Sequence, residues 1–252
     1  MSMPEAFAEA LGTPGLGWLC LIIFVAGTVR GFAGFGGALI FIPLASIHIP
    51  PIWCIVAMMP GEFFGTLPLL PRALRDGDRR HVPLLALGTA IGLPLGVYAL
   101  RHSDPAIFRW AVAALSLTMV AMLASGWRHA RRFSRPELAG IGAASGFFGG
   151  FSGIAGPPVI LAYVSGPYAP ARVRANTLLF FSLLEVLLFI TFATQGVLDA
   201  QALTVGLILM LPYGLGNQLG AWIFDPARAR LYRFVAYGII TGSALVALPV
   251  YG

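Results

Sequence analysis

Residues 30–43 read RGFAGFGGALIFIP and residues 149–162 read GGFSGIAGPPVILA, and these two stretches decide the fold. At an offset of 119 residues, three glycines of the first stretch fall on three of the second: Gly31, Gly34 and Gly37 on Gly150, Gly153 and Gly156. Glycine and proline interrupt helices, so each stretch predicts a break inside an otherwise apolar segment. The shared spacing predicts a chain made of two duplicated halves.

The composition around the two breaks is that of a membrane protein. Hydrophobic residues make up 58% of the chain and charged residues only 10%, whereas about a quarter of the residues of a soluble protein are charged. Long uncharged runs recur along the chain, and a transmembrane helix needs roughly 20 apolar residues. The sequence therefore predicts an all-α polytopic membrane protein. Its net charge of +6 comes from arginines in short loops, which argues against a nucleic-acid partner.

Each half is predicted to contain a Gly-rich hairpin followed by three transmembrane helices. Half one, residues 1–127, has its hairpin at about 16–48 and spans at about 52–70, 82–100 and 107–127. A basic linker at 128–136 follows. Half two, residues 137–252, has its hairpin at about 138–168 and spans at about 174–194, 201–222 and 232–250. A second match, of Gly96 with Gly220 and Arg109 with Arg233 at an offset of 124, supports the duplication.

The arginines predict on which side of the membrane each loop lies. If each Gly-rich segment crossed the membrane once, the two sides would carry eight and seven loop arginines, which is no bias. If each segment returns to its own side, the basic loops at 72–80, 128–135, 172–174 and 228–233 lie together and hold thirteen arginines, against two on the other side. Short-loop arginines favour the cytoplasm. We therefore expect returning hairpins, cytoplasmic basic loops and periplasmic termini, with the second half inserted upside down as an inverted-topology repeat.

The two breaks are candidate anion sites. Helix N-termini present unpaired N–H groups and the positive end of the helix dipole, and glycines let a ligand approach the backbone closely. The alternative is that the glycines serve only helix packing. Polar residues near the second break could line the pathway or form hydrogen bonds between helices. The candidate anion-binding residues are Arg30, Gly34, Gly36, Gly37, Ser152, Gly153, Gly156 and Asn176.

Three ionisable residues lie within apolar segments, where a charge is costly and usually functional. Arg30 precedes the first break, and its planar guanidinium suits a carboxylate, sulfonate or phosphate. If residues 10–29 formed a full span, Arg30 would instead be a cytoplasmic anchor. Glu62 and Glu185 lie 123 residues apart and are candidate proton carriers. They could alternatively brace neighbouring helices or pair with Arg30.

Other chemistry lacks a motif in this sequence. No set of His, Cys, Asp or Glu has metal-ligand spacing, and no phosphate-binding loop indicates an ATP-driven motor. No nucleophile and base stand in a recognisable pattern. We therefore expect neither a metal nor a cofactor, and no enzyme activity.

The motifs GFAGFGGALIFIP and GFFGGFSGIAGPPVIL, each opening a half of about 120 residues, resemble those of the TauE/SafE family of sulfite exporters. The resemblance covers about residues 15–250. It implies a bacterial inner-membrane transporter whose partners are a small sulfur-containing anion, such as sulfite or sulfoacetate, and protons, with no oligomeric state specified. Two alternatives stay open, an uncoupled anion pore and a membrane subunit without transport of its own.

Overall fold

The computed structural model describes residues 3–78, 81–126, 133–164 and 166–250. Residues 128–132 of the predicted linker, two arginines of the first basic loop and the ends of both termini lie outside this part of the chain. The described residues form twelve α-helices: α1 Met3–Leu11, α2 Leu16–Ala33, α3 Gly37–Ala45, α4 Pro51–Thr66, α5 Leu70–Asp76, α6 His81–Arg101, α7 Pro105–Ser125, α8 Arg135–Ser152, α9 Gly156–Val164, α10 Pro170–Thr194, α11 Ala200–Ile223 and α12 Ala229–Val246.

The prediction of an all-α membrane protein is confirmed. In the described part of the chain, six helical segments are long and apolar enough to cross a bilayer: Leu16–Ala33, Pro51–Asp76, His81–Arg101, Pro105–Ser125, Arg172–Thr194 and Ala200–Ile223. On α6, the large side chains of Leu87, Ile91 and Leu95 are exposed along one face, which suits contact with lipid rather than water. The protein is therefore a multi-pass membrane protein.

The two Gly-rich segments have the same helical plan. In each half an 18-residue helix, α2 or α8, ends at a break and a nine-residue helix, α3 or α9, follows it. At 1.5 Å per residue the two arms measure about 27 and 13 Å. The two arms of each hairpin are therefore unequal in length. The long arm approaches the thickness of a bilayer core and the short arm does not.

The long arms end at equivalent glycines. Gly34 has φ 80° and its N–H donates to the Arg30 carbonyl at 2.7 Å. Gly153 has φ 70° and its N–H donates to the Gly149 carbonyl at 2.9 Å. This left-handed conformation closes a helix and strains any residue with a Cβ atom. The matching caps explain why glycine recurs at this spacing.

The chain folds into two compact units that do not coincide with its sequence halves. Unit 1 comprises Met1–Gly61, Asp104–Val120 and Leu198–Gly252, and unit 2 comprises Glu62–Ser103 and Ala121–Val197. Each unit therefore combines helices of both halves. In unit 1, α2 of half one packs along α11 of half two, and in unit 2, α8 of half two packs along α6 of half one. These two helix pairs are equivalent under the duplication.

Glycines form the contact within each pair. In unit 2, a Cβ atom at Gly92 would lie 2.8 Å from the Ala143 carbonyl carbon, and one at Gly146 would lie 2.8 Å from the Thr89 Cα atom. In unit 1, a Cβ atom at Gly31 would lie 2.9 Å from the Gly220 Cα atom. Real Cβ atoms do not approach backbone this closely, so only glycine permits these helices to pack backbone to backbone. In both pairs, residues later in one helix contact residues later in the other helix, so the paired helices run parallel.

Both ends of each hairpin lie at one end of their unit. In unit 1, the Trp18 ring near the start of α2 lies 6.4 Å from the His48 ring, just past α3. In unit 2, Leu138 in the first turn of α8 belongs to the same hydrophobic cluster as Tyr163 near the end of α9. Each short arm therefore turns back toward the end at which its long arm begins.

Candidate functional site

The first break consists of Gly34, Phe35 and Gly36, between α2 and α3. Gly36 has φ 102°, and a Cβ atom there would lie 3.2 Å from the Ile240 Cδ1 atom. Gly37 is the first residue of α3. The N–H of Ile40 donates to the Gly36 carbonyl at 3.1 Å and closes the first turn. The N–H groups before it are those that a helix leaves without an intrahelical partner.

Arg30 lies in the last turn of α2, four residues before Gly34. Its guanidinium carbon is 6.0 Å from the centre of the Tyr213 ring, within the range of a cation–π interaction. Tyr213 is only 3% exposed. Its ring packs directly against two glycines: a Cβ atom at Gly27 would lie 3.1 Å from a ring carbon, and one at Gly61 would lie 2.8 Å from a ring carbon. Tyr213 is therefore a buried aromatic neighbour of the Arg30 guanidinium, a contact that the sequence pattern does not predict.

The second break, in unit 2, runs from Gly153 to Ala155. Ser152 is fully buried, and its hydroxyl donates to the Phe148 carbonyl at 2.7 Å and accepts from the Ile154 N–H at 3.3 Å. The Ser145 hydroxyl donates to the Ala155 carbonyl. The polar side chains at this break are therefore occupied by backbone groups, and they hold the shape of the turn.

The two short helices differ at their N-termini. Gly156 begins α9 and its next two residues, Pro157 and Pro158, have no N–H group. Ala155 occupies the position in the second stretch that corresponds to Gly36 in the first. Among the described residues positive φ occurs only at glycines, so Ala155 does not share the backbone conformation of Gly36. The first turn of α3 therefore has more N–H groups without an intrahelical partner than the first turn of α9.

Asn176 lies away from the second break. It is fully buried in the second turn of α10, and its side-chain oxygen accepts a 2.6 Å hydrogen bond from the Asp78 N–H. Its neighbour Tyr163 is seven residues beyond Gly156, about 10 Å along α9. The structure thus places Asn176 with His81, Tyr163 and Tyr168 at the other end of α9. No local motif marks these three aromatic residues, because only the packing of α6, α9 and α10 brings them to Asn176.

The two candidate proton carriers lie within long helices. Glu62 lies near the end of α4, two residues after Pro60, and Glu185 lies in the middle of α10. Both side chains are half-buried, and both have interaction partners, as does Arg30. Among the described residues, no group of three or more His, Cys, Asp or Glu is placed to bind a metal ion. Cys20 and Cys54 are free thiols.

Comparison with known proteins identifies the family. The family described as "Sulfite exporter TauE/SafE" matches residues 19–247, which is most of the chain. A protein of Cupriavidus necator H16 named "Probable sulfite/organosulfonate exporter TauE" is 26% identical over 227 residues, covering 86% of this chain and 87% of that protein. No solved structure gives a significant match. The repeated Gly-rich breaks and the match across both halves agree, and the chain belongs to the TauE/SafE family.

Proposed function

We propose that this protein is a secondary transporter that moves a small sulfur-containing anion, sulfite or an organosulfonate such as sulfoacetate, across the bacterial inner membrane. The observation that carries the proposal is the pair of equivalent helix breaks in a chain of the TauE/SafE family. The name of the Cupriavidus necator relative supports the substrate class. The family name and the name of the relative both describe export and not an enzyme reaction.

Anion binding is assigned to the first break. In this proposal the unpaired N–H groups at the start of α3 supply donors to the anion, and Arg30, four residues before Gly34, supplies positive charge. Gly34, Gly36 and Gly37 carry no Cβ atom, so a ligand can approach their backbone closely, and Gly34 is exposed. At the second break, Gly153 and Gly156 repeat this arrangement with fewer donors, and Ser152 shapes the turn.

Coupling is assigned to protons carried by Glu62 or Glu185, because a carboxylate inside an apolar span is costly unless it binds a proton or a cation. Access to the anion alternates between the two membrane faces. The two inverted repeats provide this alternating access, as in many secondary transporters. Inverted topology, with the basic loops cytoplasmic and both termini periplasmic, rests on the arginine distribution.

Uptake into proteoliposomes tests the function. The purified protein is reconstituted and offered sulfite, sulfoacetate, taurine, thiosulfate and acetate, with and without a pH gradient. We expect transport of sulfite or an organosulfonate that accelerates when protons can flow down their gradient. Transport that follows the anion gradient alone would indicate a pore without coupling. A protein that moves none of these anions would overturn the proposal and favour a subunit without transport of its own.

A further inference from the structure

A cluster of buried polar atoms lies at the end of unit 2 where α6 and α10 begin and α9 ends. Four side-chain atoms there are buried and have no hydrogen-bond partner among the described residues: His81 Nδ1, the hydroxyls of Tyr163 and Tyr168, and Asn176 Nδ2. Buried polar groups are nearly always paired, because an unpaired group loses its hydration without compensation. Four such groups in one place therefore indicate that a small polar molecule binds between them.

The four side chains are close enough to contact one small molecule. The ring centres of His81 and Tyr163 are 6.3 Å apart, those of His81 and Tyr168 5.9 Å, and those of the two tyrosines 5.4 Å. Asn176 interacts with the Tyr163 hydroxyl, but not in hydrogen-bond geometry. Tyr163 is 1% exposed and Asn176 is fully buried, whereas His81 and Tyr168 are half-buried. Tyr163 packs with the Leu85, Val159 and Phe180 side chains on the inner side of the cluster.

The cluster is rich in donors. The Asp78 N–H occupies the Asn176 side-chain oxygen at 2.6 Å, which fixes the amide orientation and leaves both amide N–H groups for another partner. Each tyrosine hydroxyl can donate as well, and so can His81. The nearby Asp78 carboxylate accepts from the backbone N–H of His81 at 3.3 Å. A site with several donors suits the oxygens of an anion rather than a metal cation.

The charges on the surrounding helices favour an anion too. Arg172 and Arg174 are exposed in the first turn of α10, and Arg72 and Arg75 are exposed on α5, which packs against α10. Asp76 on α5 pairs with Arg72 at 3.7 Å. The excess of arginine raises the local concentration of anions near this end of unit 2.

We propose that His81, Tyr163, Tyr168 and Asn176 form a second anion site, which binds the oxygen atoms of a sulfonate or sulfite group. The amide of Asn176 and the two hydroxyls donate to these oxygens, and His81 completes the ring of donors. The anion class rests on the proposed function. The site lies about 10 Å along α9 from the break at Gly156, at the end that the arginines assign to the cytoplasm. It is where an anion enters or leaves on that side.

Equilibrium binding to the detergent-purified full-length protein tests the site. Sulfoacetate is titrated into wild type, Asn176→Asp, Tyr163→Phe and Tyr168→Phe. Asn176→Asp keeps the oxygen that Asp78 binds but replaces the amide donors with a carboxylate, and Tyr→Phe removes only a hydroxyl. The matched control is Tyr98→Phe on α6, whose ring is exposed. Thermal unfolding of each variant reports whether it folds.

We expect the dissociation constant to rise about 10- to 100-fold in Asn176→Asp, and by at least a few-fold in each buried tyrosine variant, because each change removes a hydrogen bond to a charged group. Tyr98→Phe should bind like wild type. If the cluster holds only water, the folded variants will bind sulfoacetate as wild type does, which overturns the site.

Transport assays distinguish a failure of the second anion site from a failure of the proposed function. Wild-type sulfoacetate transport together with an unchanged half-saturating concentration in Asn176→Asp would overturn the site and leave the proposed function standing. A wild-type protein that neither binds nor transports a sulfur anion would overturn the proposed function, and the anion class of the site with it. Weakened binding and a raised half-saturating concentration in the variants would support both.

Discussion

The backbone N–H of Asp78 and the side-chain oxygen of Asn176 form a 2.6 Å hydrogen bond that joins residues 98 positions apart in the sequence. This bond places the loop before α6 and the start of α10 at one end of unit 2. Both segments carry basic loops, at 72–80 and 172–174. Their proximity supports the arrangement in which the second Gly-rich segment returns to its own side, since a single crossing would separate them by a bilayer.

Cysteine labelling tests the resulting topology. In a Cys20→Ser, Cys54→Ser background, single cysteines at Arg75 and Arg172 should react with a membrane-impermeant reagent only from the cytoplasm. Single cysteines at Leu11 and Val250, which are both exposed, should react from the periplasm in intact cells. Reaction of Leu11→Cys and Val250→Cys from opposite sides would contradict an inverted repeat.

Removal of the Arg30 guanidinium should abolish transport without unfolding the protein. Arg30→Ala deletes the charge next to the first break, and Arg30→Lys retains the charge but loses the planar fork and its contact with Tyr213. We expect no measurable sulfoacetate uptake by Arg30→Ala and partial uptake by Arg30→Lys. Arg228→Ala is the matched control, because its side chain is 72% exposed and belongs to neither proposed anion site. Wild-type uptake by Arg30→Ala would show that Arg30 serves only as a membrane anchor.

A neutral side chain at the coupling position should separate transport from the proton gradient. Glu62→Gln and Glu185→Gln keep the shape and hydrogen-bonding capacity of the carboxyl group but cannot carry a proton. One of them should lose the acceleration that a pH gradient gives while still exchanging anion across the membrane. Glu9→Gln, on the exposed surface of α1, should behave like wild type. If both variants keep the acceleration, neither residue carries the proton.

A methyl group in the contact between α6 and α8 should destabilise unit 2. At Gly146 the new Cβ atom would lie 2.8 Å from the Thr89 Cα atom, so Gly146→Ala should lower the free energy of unfolding by about 1–3 kcal/mol. Gly140→Ala on the same helix has open space and should raise it by up to about 1 kcal/mol. Thermal unfolding in detergent measures both. Equal shifts for the two variants would mean that close packing does not explain the glycines.

Much of the fold could be predicted from sequence because membrane spans and glycine caps leave local signals. The matched spacing of Gly34 and Gly153 predicted the two breaks. The same pattern could not reveal that Gly31 and Gly150 pack against helices of the opposite half, since a glycine gives no indication of what lies opposite it. Nor could it predict that Tyr213 contacts Arg30, or that Tyr163 meets Asn176, because these contacts depend on tertiary packing.

The pairing of α2 with α11 has a consequence for how the protein is made. The helices of the unit 2 pair, α6 and α8, begin 54 residues apart, whereas α2 and α11 begin 184 residues apart. During synthesis, α2 enters the membrane long before the ribosome has made the glycines that it packs against. The α6–α8 pair of unit 2 can therefore form first, and α2, although it is made early, packs against its partner α11 late in synthesis.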